Sequence, residues 1–384
     1  MLKKHLLAPG PTPVPPEVLL AMAQPIIHHR TPQFSAIFRA AAEGSKTLFG
    51  TSQPVMMLAS TGTGGMEAAV TNTLSPGDHV IVVEAGKFGE RWREISKIYG
   101  IEVTTIEVEW GRAVDPAAVE SALNENPGVK AVMVQGSETS TTVLHPIAEL
   151  GRLTADRDCL LIVDGITSVG VVDMPMDETG IDVLVTGSQK AMMLPPGLAL
   201  VSLSEKAWKM NESASAPRYY LDLRKERKSL EQDTSAYTPA VSMILGLNAV
   251  YELVERSGGF PAVYHRHAVL AEAARTGIKA LGLQLLAPDA PSPAATGFWL
   301  PDGVDGGKLA KYLRDTMGVT VAGGQGHLKG KVMRLAHIGY ADTFDVIVGL
   351  SAIEMALAEF GHDVKFGTGT AAAQQLLARE YPRG

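Results

Sequence analysis

Between positions 55 and 203 one unit recurs: a short, nearly unbroken apolar run rich in β-branched residues, a turn, then a segment with helical spacing. The apolar runs fall at 55–60, 79–85, 102–108, 131–136, 159–165, 183–188 and 198–203. The helical segments between them fall at 66–74, 88–99, 116–124 and 147–157. A strand that is apolar at consecutive positions has both faces buried, and crossover helices are what bury them. The pattern predicts an α/β fold with a mainly parallel seven-stranded sheet sandwiched by helices.

The rhythm changes after about position 221, where the charged stretch Arg224-Lys-Glu-Arg-Lys228 reads as a solvated helix face. Long helical runs at 240–256 and 261–281 follow. Beyond them come strand candidates at 283–286, 297–300, 319–322 and 332–337, and helices at 307–317 and 343–360. This is the pattern of a smaller C-terminal α+β domain. The proline-rich start predicts an extended segment carrying a short helix at 17–23 that lies on the smaller domain. The chain of 384 residues thus divides into 1–24, a large domain at 25–240 and a small one at 241–384.

Composition removes several classes of function. With 34 Lys and Arg against 41 Asp and Glu and no long basic run, no electrostatic footprint for nucleic acid exists. The one cysteine, Cys159, sits in an apolar run and reads as a buried, inert thiol. Alone it makes no intrachain disulfide and no multi-cysteine zinc site. His265, His267, His28 and His29 lack a third ligand at recognisable spacing, so no metal is expected. With no long apolar span and no signal-peptide pattern, a soluble cytoplasmic protein without membrane contact is the expectation.

Three features carry chemistry. In Ser60-Thr-Gly-Thr-Gly-Gly-Met-Glu-Ala-Ala69 a strand enters a glycine-rich turn and then a helix. Such a turn aims backbone N–H groups and the positive helix end at an anion, with Thr61 and Thr63 adding hydroxyls. It lacks a Walker lysine, and Glu67 stands where a dinucleotide fingerprint needs its third glycine. Asp164 ends the most apolar strand and lies where open α/β sheets bind ligands. Lys190 follows another strand and precedes the apolar Ala191-Met-Met-Leu-Pro-Pro-Gly197, where burial would lower its pKa. Each has a plain alternative: a tight turn, a helix N-cap, a surface charge. Together they are the three fixed points that pyridoxal phosphate needs, for its phosphate, its ring nitrogen and its aldehyde.

At this point the sequence resembles the class V aminotransferases of pyridoxal phosphate (PLP) fold-type I, in their alanine/serine–glyoxylate branch. The resemblance runs through Pro9-Gly-Pro-Thr-Pro13, Thr61-Gly-Thr-Gly64, Glu138-Thr-Ser-Thr141, Val163-Asp164 with Ser168, Gly187-Ser-Gln-Lys190 with Pro195-Pro-Gly197, Thr238-Pro239 and Arg334. It implies that Lys190 is the Schiff-base lysine and proton carrier and that Asp164 partners the pyridine nitrogen. It further implies that Thr61, Gly62, Thr63 and Gln189 bind the phosphate. Ser140 falls where the family places a hydroxyl near the cofactor ring, and Phe88 where it stacks an aromatic, helix-start packing being the alternative for Phe88. Arg334 matches the arginine that grips the substrate carboxylate, a task suited to its bidentate fork. Tyr237 and Thr238 match a stretch that reaches the neighbouring subunit's phosphate, so a homodimer with shared sites is implied.

The expected activity is a ping-pong transamination from a small amino acid, alanine or serine, to a small 2-oxo acid, glyoxylate or pyruvate. The single evident arginine points to small substrates. Two alternatives stand beside it. One is an aminotransferase for a phosphonate or phospho-amino substrate. The other is an accessory subunit of a soluble hydrogenase-type redox complex, as some relatives have been described. A cysteine desulfurase would need a mobile cysteine, which Cys159 is not. A serine hydrolase would need glycine where Ile166 stands in Gly165-Ile-Thr-Ser-Val-Gly170.

Overall fold

A computed structural model describes residues 2–380. Its main sheet has seven strands, in the spatial order Val55–Ala59, Leu198–Leu203, Val183–Gly187, Leu160–Asp164, Ala131–Gln135, His79–Glu84 and Glu102–Glu107. Leu198–Leu203 runs antiparallel to both its neighbours, and all other pairs are parallel. Each strand agrees with its expected run to within one residue at either end. The unbroken apolar character has the expected cause: successive side chains enter different cores. Ile81, Val83, Leu161 and Val163 join the apolar cluster on one face, while Val80, Val82, Leu160 and Ile162 join the cluster on the other.

A second sheet of three strands has Val332–Ala336 at its centre, antiparallel to Ala295–Trp299 and to Ala322–Gly323. Helices Gly259–Ala280, Gly306–Asp315 and Thr343–Glu359 pack on it through Leu270, Leu309 and Val346 around Phe298. The expected strand at 283–286 forms only an isolated bridge, Leu285 to Phe298. Two backbone bonds, Leu286 N to Gly297 O and Trp299 N to Gln284 O, hold it beside the edge without a continuing ladder.

The N-terminal segment ties the two sheets' surroundings together. His5–Leu6 pairs in parallel with Val319–Thr320. The helix expected at 17–23 is Pro16–Met22, with proline tolerated in its first turn. It packs on helix Val241–Arg256, and both bury residues (Val18, Ile244, Leu247) in a core of the seven-stranded sheet. Its partner helix belongs to the 241–384 stretch on which it is expected to lie, and that helix in turn reaches into the large sheet's core. The stretch from Leu7 to Pro15 crosses between these two anchors, past the carboxyl ends of the main strands.

Three imidazoles are buried, and burial pushes His145 down to about 4 and His267 and His337 to about 3. Two of them act as neutral acceptors, His145 Nδ1 from Val114 N and His267 Nε2 from Gly339 N, each at 3.1 Å. Their folded pKa values lie below the unfolded value near 6.5, so between those limits the unfolded chain binds more protons and stability is lost as pH is lowered. Each is expected to remove about 2 kcal/mol between pH 7 and pH 5. Urea midpoints across that range should show the loss. The double variant His267→Gln, His337→Gln should show a flatter profile, and an unchanged slope would refute this account.

No helix of the described residues is long and apolar enough to cross a membrane. Among them no group of three His, Cys, Asp or Glu side chains could hold a metal ion.

Candidate active site

The parallel strands deliver their carboxyl ends to one edge of the sheet. Gln135 is paired with Asp164, and Ala59 and Gly187 flank consecutive residues of Leu198–Leu203. The Gly-rich turn, Asp164 and the Gln189-Lys190 pair leave from that edge, and all border one cavity of about 130 Å³. It is lined by Thr61, Gly62, Thr63, Phe88, Arg91, Ser137, Asp164, Ile166, Thr167, Gln189 and Lys190. Residues between 61 and 190 in the sequence thus meet because the strand order, not chain proximity, brings them together.

The anion turn is open at its working end. Thr61 is the N-cap of helix Gly62–Thr73, in extended conformation, and its side chain makes no capping bond. The helix therefore starts with unused N–H groups directed at the cavity side. A Cβ at Gly62 would fall on the Ile166 side chain, so glycine there permits the close approach of turn and strand end.

Asp164 is almost fully buried and accepts one bond from Ile166 N at 2.8 Å. It caps a turn, not a helix. Burial raises its pKa to about 7, Glu138 adds to the rise, and Arg91 and Lys190 oppose it. Lys190 is depressed to about 8, first by burial and then by Arg334, with Asp164 opposing. About a tenth of the amine is then neutral at pH 7, far more than for an exposed lysine. Its Nζ donates to Pro9 O. Gly10, at φ +143°, leaves space that a Cβ would take from the Lys190 amine. The segment that bridges the two sheets' layers thus closes over the lysine, a contact no local motif announces.

Arg334 is buried, on the central strand of the smaller sheet. It donates to Gly323 O through Nε at 3.1 Å and Nη2 at 2.8 Å, and to Thr139 O through Nη1 at 2.7 Å. Three of its five N–H groups are so engaged, and two remain for a ligand. No carboxylate among the described residues pairs with it. Burial pulls it down to about 10, against the opposing effect of Glu138.

Two residues at the site escaped the sequence reading as individuals. Glu138 is fully buried, and its two carboxylate oxygens accept four bonds. One oxygen takes Phe88 N and Gly89 N, at 3.0 and 3.1 Å, and the other takes Ser140 N and Oγ, at 3.0 and 2.5 Å. It pins the first turn of helix Lys87–Ile98 and so sets Phe88 against the cavity. Its signal was an acid in a run of small hydroxyl residues soon after a strand that is apolar up to Gln135. Arg91 lines the cavity beside Phe88, and nothing in the local sequence singles it out. Arg91 is the arginine among the residues lining this cavity and Arg334 is not one of them, which qualifies the expectation of one evident arginine.

The structure places the other expected residues unequally. Ser140 lies behind the wall, its hydroxyl donating to Glu138 and accepting from Lys87 N. Tyr237 and Thr238 do not line the cavity. Tyr237 donates to Tyr219 O at 3.0 Å and stacks on Tyr220, and Thr238 is exposed.

The donor set fits the cofactor expected from the sequence. The Gly62 turn offers N–H groups, Asp164 a buried acid at a strand end, and Lys190 an amine with a depressed pKa on the same cavity.

Comparison with known proteins gives a consistent answer. Residues 5–339 match the family model described as aminotransferase class-V. The L-aspartate–glyoxylate aminotransferase of Paracoccus denitrificans is 38% identical over 96% of this chain and 95% of its own. A protein of Synechococcus named as the small subunit of a soluble hydrogenase is 41% identical, over 98% and 99%. An alanine–glyoxylate aminotransferase of Nostoc, 29% identical, superposes with a TM-score of 0.88, covering 93% of this chain and 96% of its own.

Proposed function

Since the chain belongs to the class V aminotransferases and is a PLP-dependent transaminase of fold-type I, we propose that it carries the amino group of a small amino acid to glyoxylate. The observation that carries this reading is the single small cavity on which Lys190, Asp164 and the Gly62 turn converge. PLP, when bound, supplies an aldehyde that takes up the amine and a ring that withdraws electrons from the neighbouring carbon. The protein's part is to hold, orient and move protons. Thr61, Gly62, Thr63 and Gln189 hold the phosphate on the open helix end. Asp164 holds a proton on the ring nitrogen, and the positive ring in turn favours its charged form. Phe88, fixed by Glu138, would offer the cofactor ring an aromatic surface. Lys190 Nζ is the amine that would hold the cofactor's aldehyde and the base that would move the substrate proton. The two free N–H groups of Arg334 take the substrate carboxylate.

The amino group passes in two half-reactions, the first oxo acid leaving before the second enters. Relatives named as aspartate–glyoxylate and serine–glyoxylate aminotransferases support a small donor, alanine, serine or aspartate. Tyr237 and Thr238, on the surface outside the cavity, suit the reading that they complete the phosphate site of a second copy, which makes the working unit a homodimer. The complete lysine, acid and anion-turn set favours an enzyme over an accessory subunit.

The test is to supply the purified protein with PLP and glyoxylate, offer alanine, serine and aspartate in turn, and measure glycine. Glycine formation with at least one donor is expected, and none with any donor would overturn the substrate assignment. Arg334→Gln should raise the donor KM by about 10- to 100-fold, the loss of charge-assisted bonds, with PLP still bound. An unchanged KM would place the carboxylate elsewhere.

A further inference from the structure

Arg91 has no role in the account above, yet it is the least committed cation at the cavity. Phe88 and Arg91 are three residues apart on helix Lys87–Ile98 and share a face. The guanidinium carbon lies 4.9 Å from the Phe88 ring centroid, and Nη1 donates to the Thr63 hydroxyl at 3.2 Å. Among the described residues that is its one hydrogen bond and no carboxylate pairs with it, so most of its donors are unused.

The position matters because of charge. From Ser60 to Met66 the turn contains no lysine or arginine, and Gln189 is neutral. A phosphate monoester carries close to two negative charges at neutral pH, whereas a helix N-terminus offers about half a positive charge. Thr63 is both a turn residue and the partner of Arg91, which puts the guanidinium one hydrogen bond from the anion turn. Arg334 does not line this cavity, three of its N–H groups are bound to Gly323 and Thr139, and the other two are assigned above to the substrate carboxylate.

We propose that Arg91 is the cation of the phosphate subsite, donating to the cofactor phosphate beside Thr63. The proposal rests on the PLP reading above. Two other roles compete with it: a clamp that only steadies Phe88, and a receptor for the second carboxylate of a dicarboxylic donor.

The experiment titrates the full chain, stripped of cofactor, with PLP and with pyridoxal, which has the same ring and aldehyde but no phosphate. Binding is read by intrinsic tryptophan fluorescence, for wild type, Arg91→Gln and Arg91→Lys. Arg91→Gln should weaken PLP by about 10- to 100-fold, as expected for a lost charge-assisted bond, and leave pyridoxal within about twofold. Arg91→Lys, which keeps the charge but not the fork, should fall between for PLP and leave pyridoxal unchanged. Inorganic phosphate should compete with PLP on the wild type and more weakly on Arg91→Gln. Equal losses for PLP and pyridoxal would make Arg91 a clamp on Phe88 and overturn the proposal. Unchanged PLP affinity would overturn it too, whether or not the KM for aspartate rises. If Arg91→Gln fails to melt cooperatively, Arg91→Lys carries the test. A wild-type chain that binds neither aldehyde would sink the cofactor reading itself, an outcome distinct from failure of the Arg91 assignment.

Discussion

Alanine at position 190 is expected to lower transamination by at least about 10³-fold, because it removes both the amine that holds the aldehyde and the base that moves the proton. The fold should survive, since the lost side chain is a buried amine whose desolvation opposes its charge and whose bond is a single one to Pro9 O. Borohydride reduction followed by peptide mass mapping is the decisive readout. The wild type should carry cofactor on the peptide containing Lys190, and Lys190→Ala should carry none. Label on any other lysine, or residual turnover within tenfold of wild type, would remove Lys190 from its role. PLP should still be retained weakly by Lys190→Ala through the phosphate turn, so binding and covalent attachment separate in one experiment.

Asp164→Asn should lower turnover by about 10²- to 10³-fold, the usual cost of losing one preorganised charge at a reacting centre. The variant is nearly isosteric, keeps an acceptor for Ile166 N and removes a group that burial holds near 7. A folded pKa raised above the unfolded one contributes stability at acid pH that is lost as pH climbs through about 7. Without cofactor, Asp164→Asn should therefore melt at or above the wild-type temperature at pH 8. Loss of activity with retained or gained stability marks a functional carboxylate. Parallel loss of both would mark a structural one.

Local signals reached different depths. The strands of the large sheet were legible because burial on both faces imposes consecutive apolar residues, and the residues themselves record that constraint. Lys190, Asp164 and the Gly62 turn were legible for a related reason: each stands at the point where an apolar run stops. Glu138 and Arg91 were not. A buried acid with four donors reads as one polar residue in a loop, and an arginine beside an aromatic reads as a solvated helix face. The strand candidate at 283–286 failed since apolar content alone does not supply a ladder partner. The short helix at Pro16–Met22 was legible, but not that its partner Val241–Arg256 shares a core with the large sheet, because an amphipathic turn states that it packs and not which core it joins.

The amino acids alone determined the α/β class, the alternation of strands and helices, and which residue types stand ready at strand ends, since periodicity and turn chemistry act within a few residues. The tertiary structure decided the rest. Strand order brought Thr61, Asp164 and Lys190 to one edge, and the Leu7–Pro15 crossing set Pro9 against the lysine. Burial then moved Asp164 up and Lys190 down. Those effects depend on distance in space and on exclusion of water, and neither is a property of neighbouring residues in the chain.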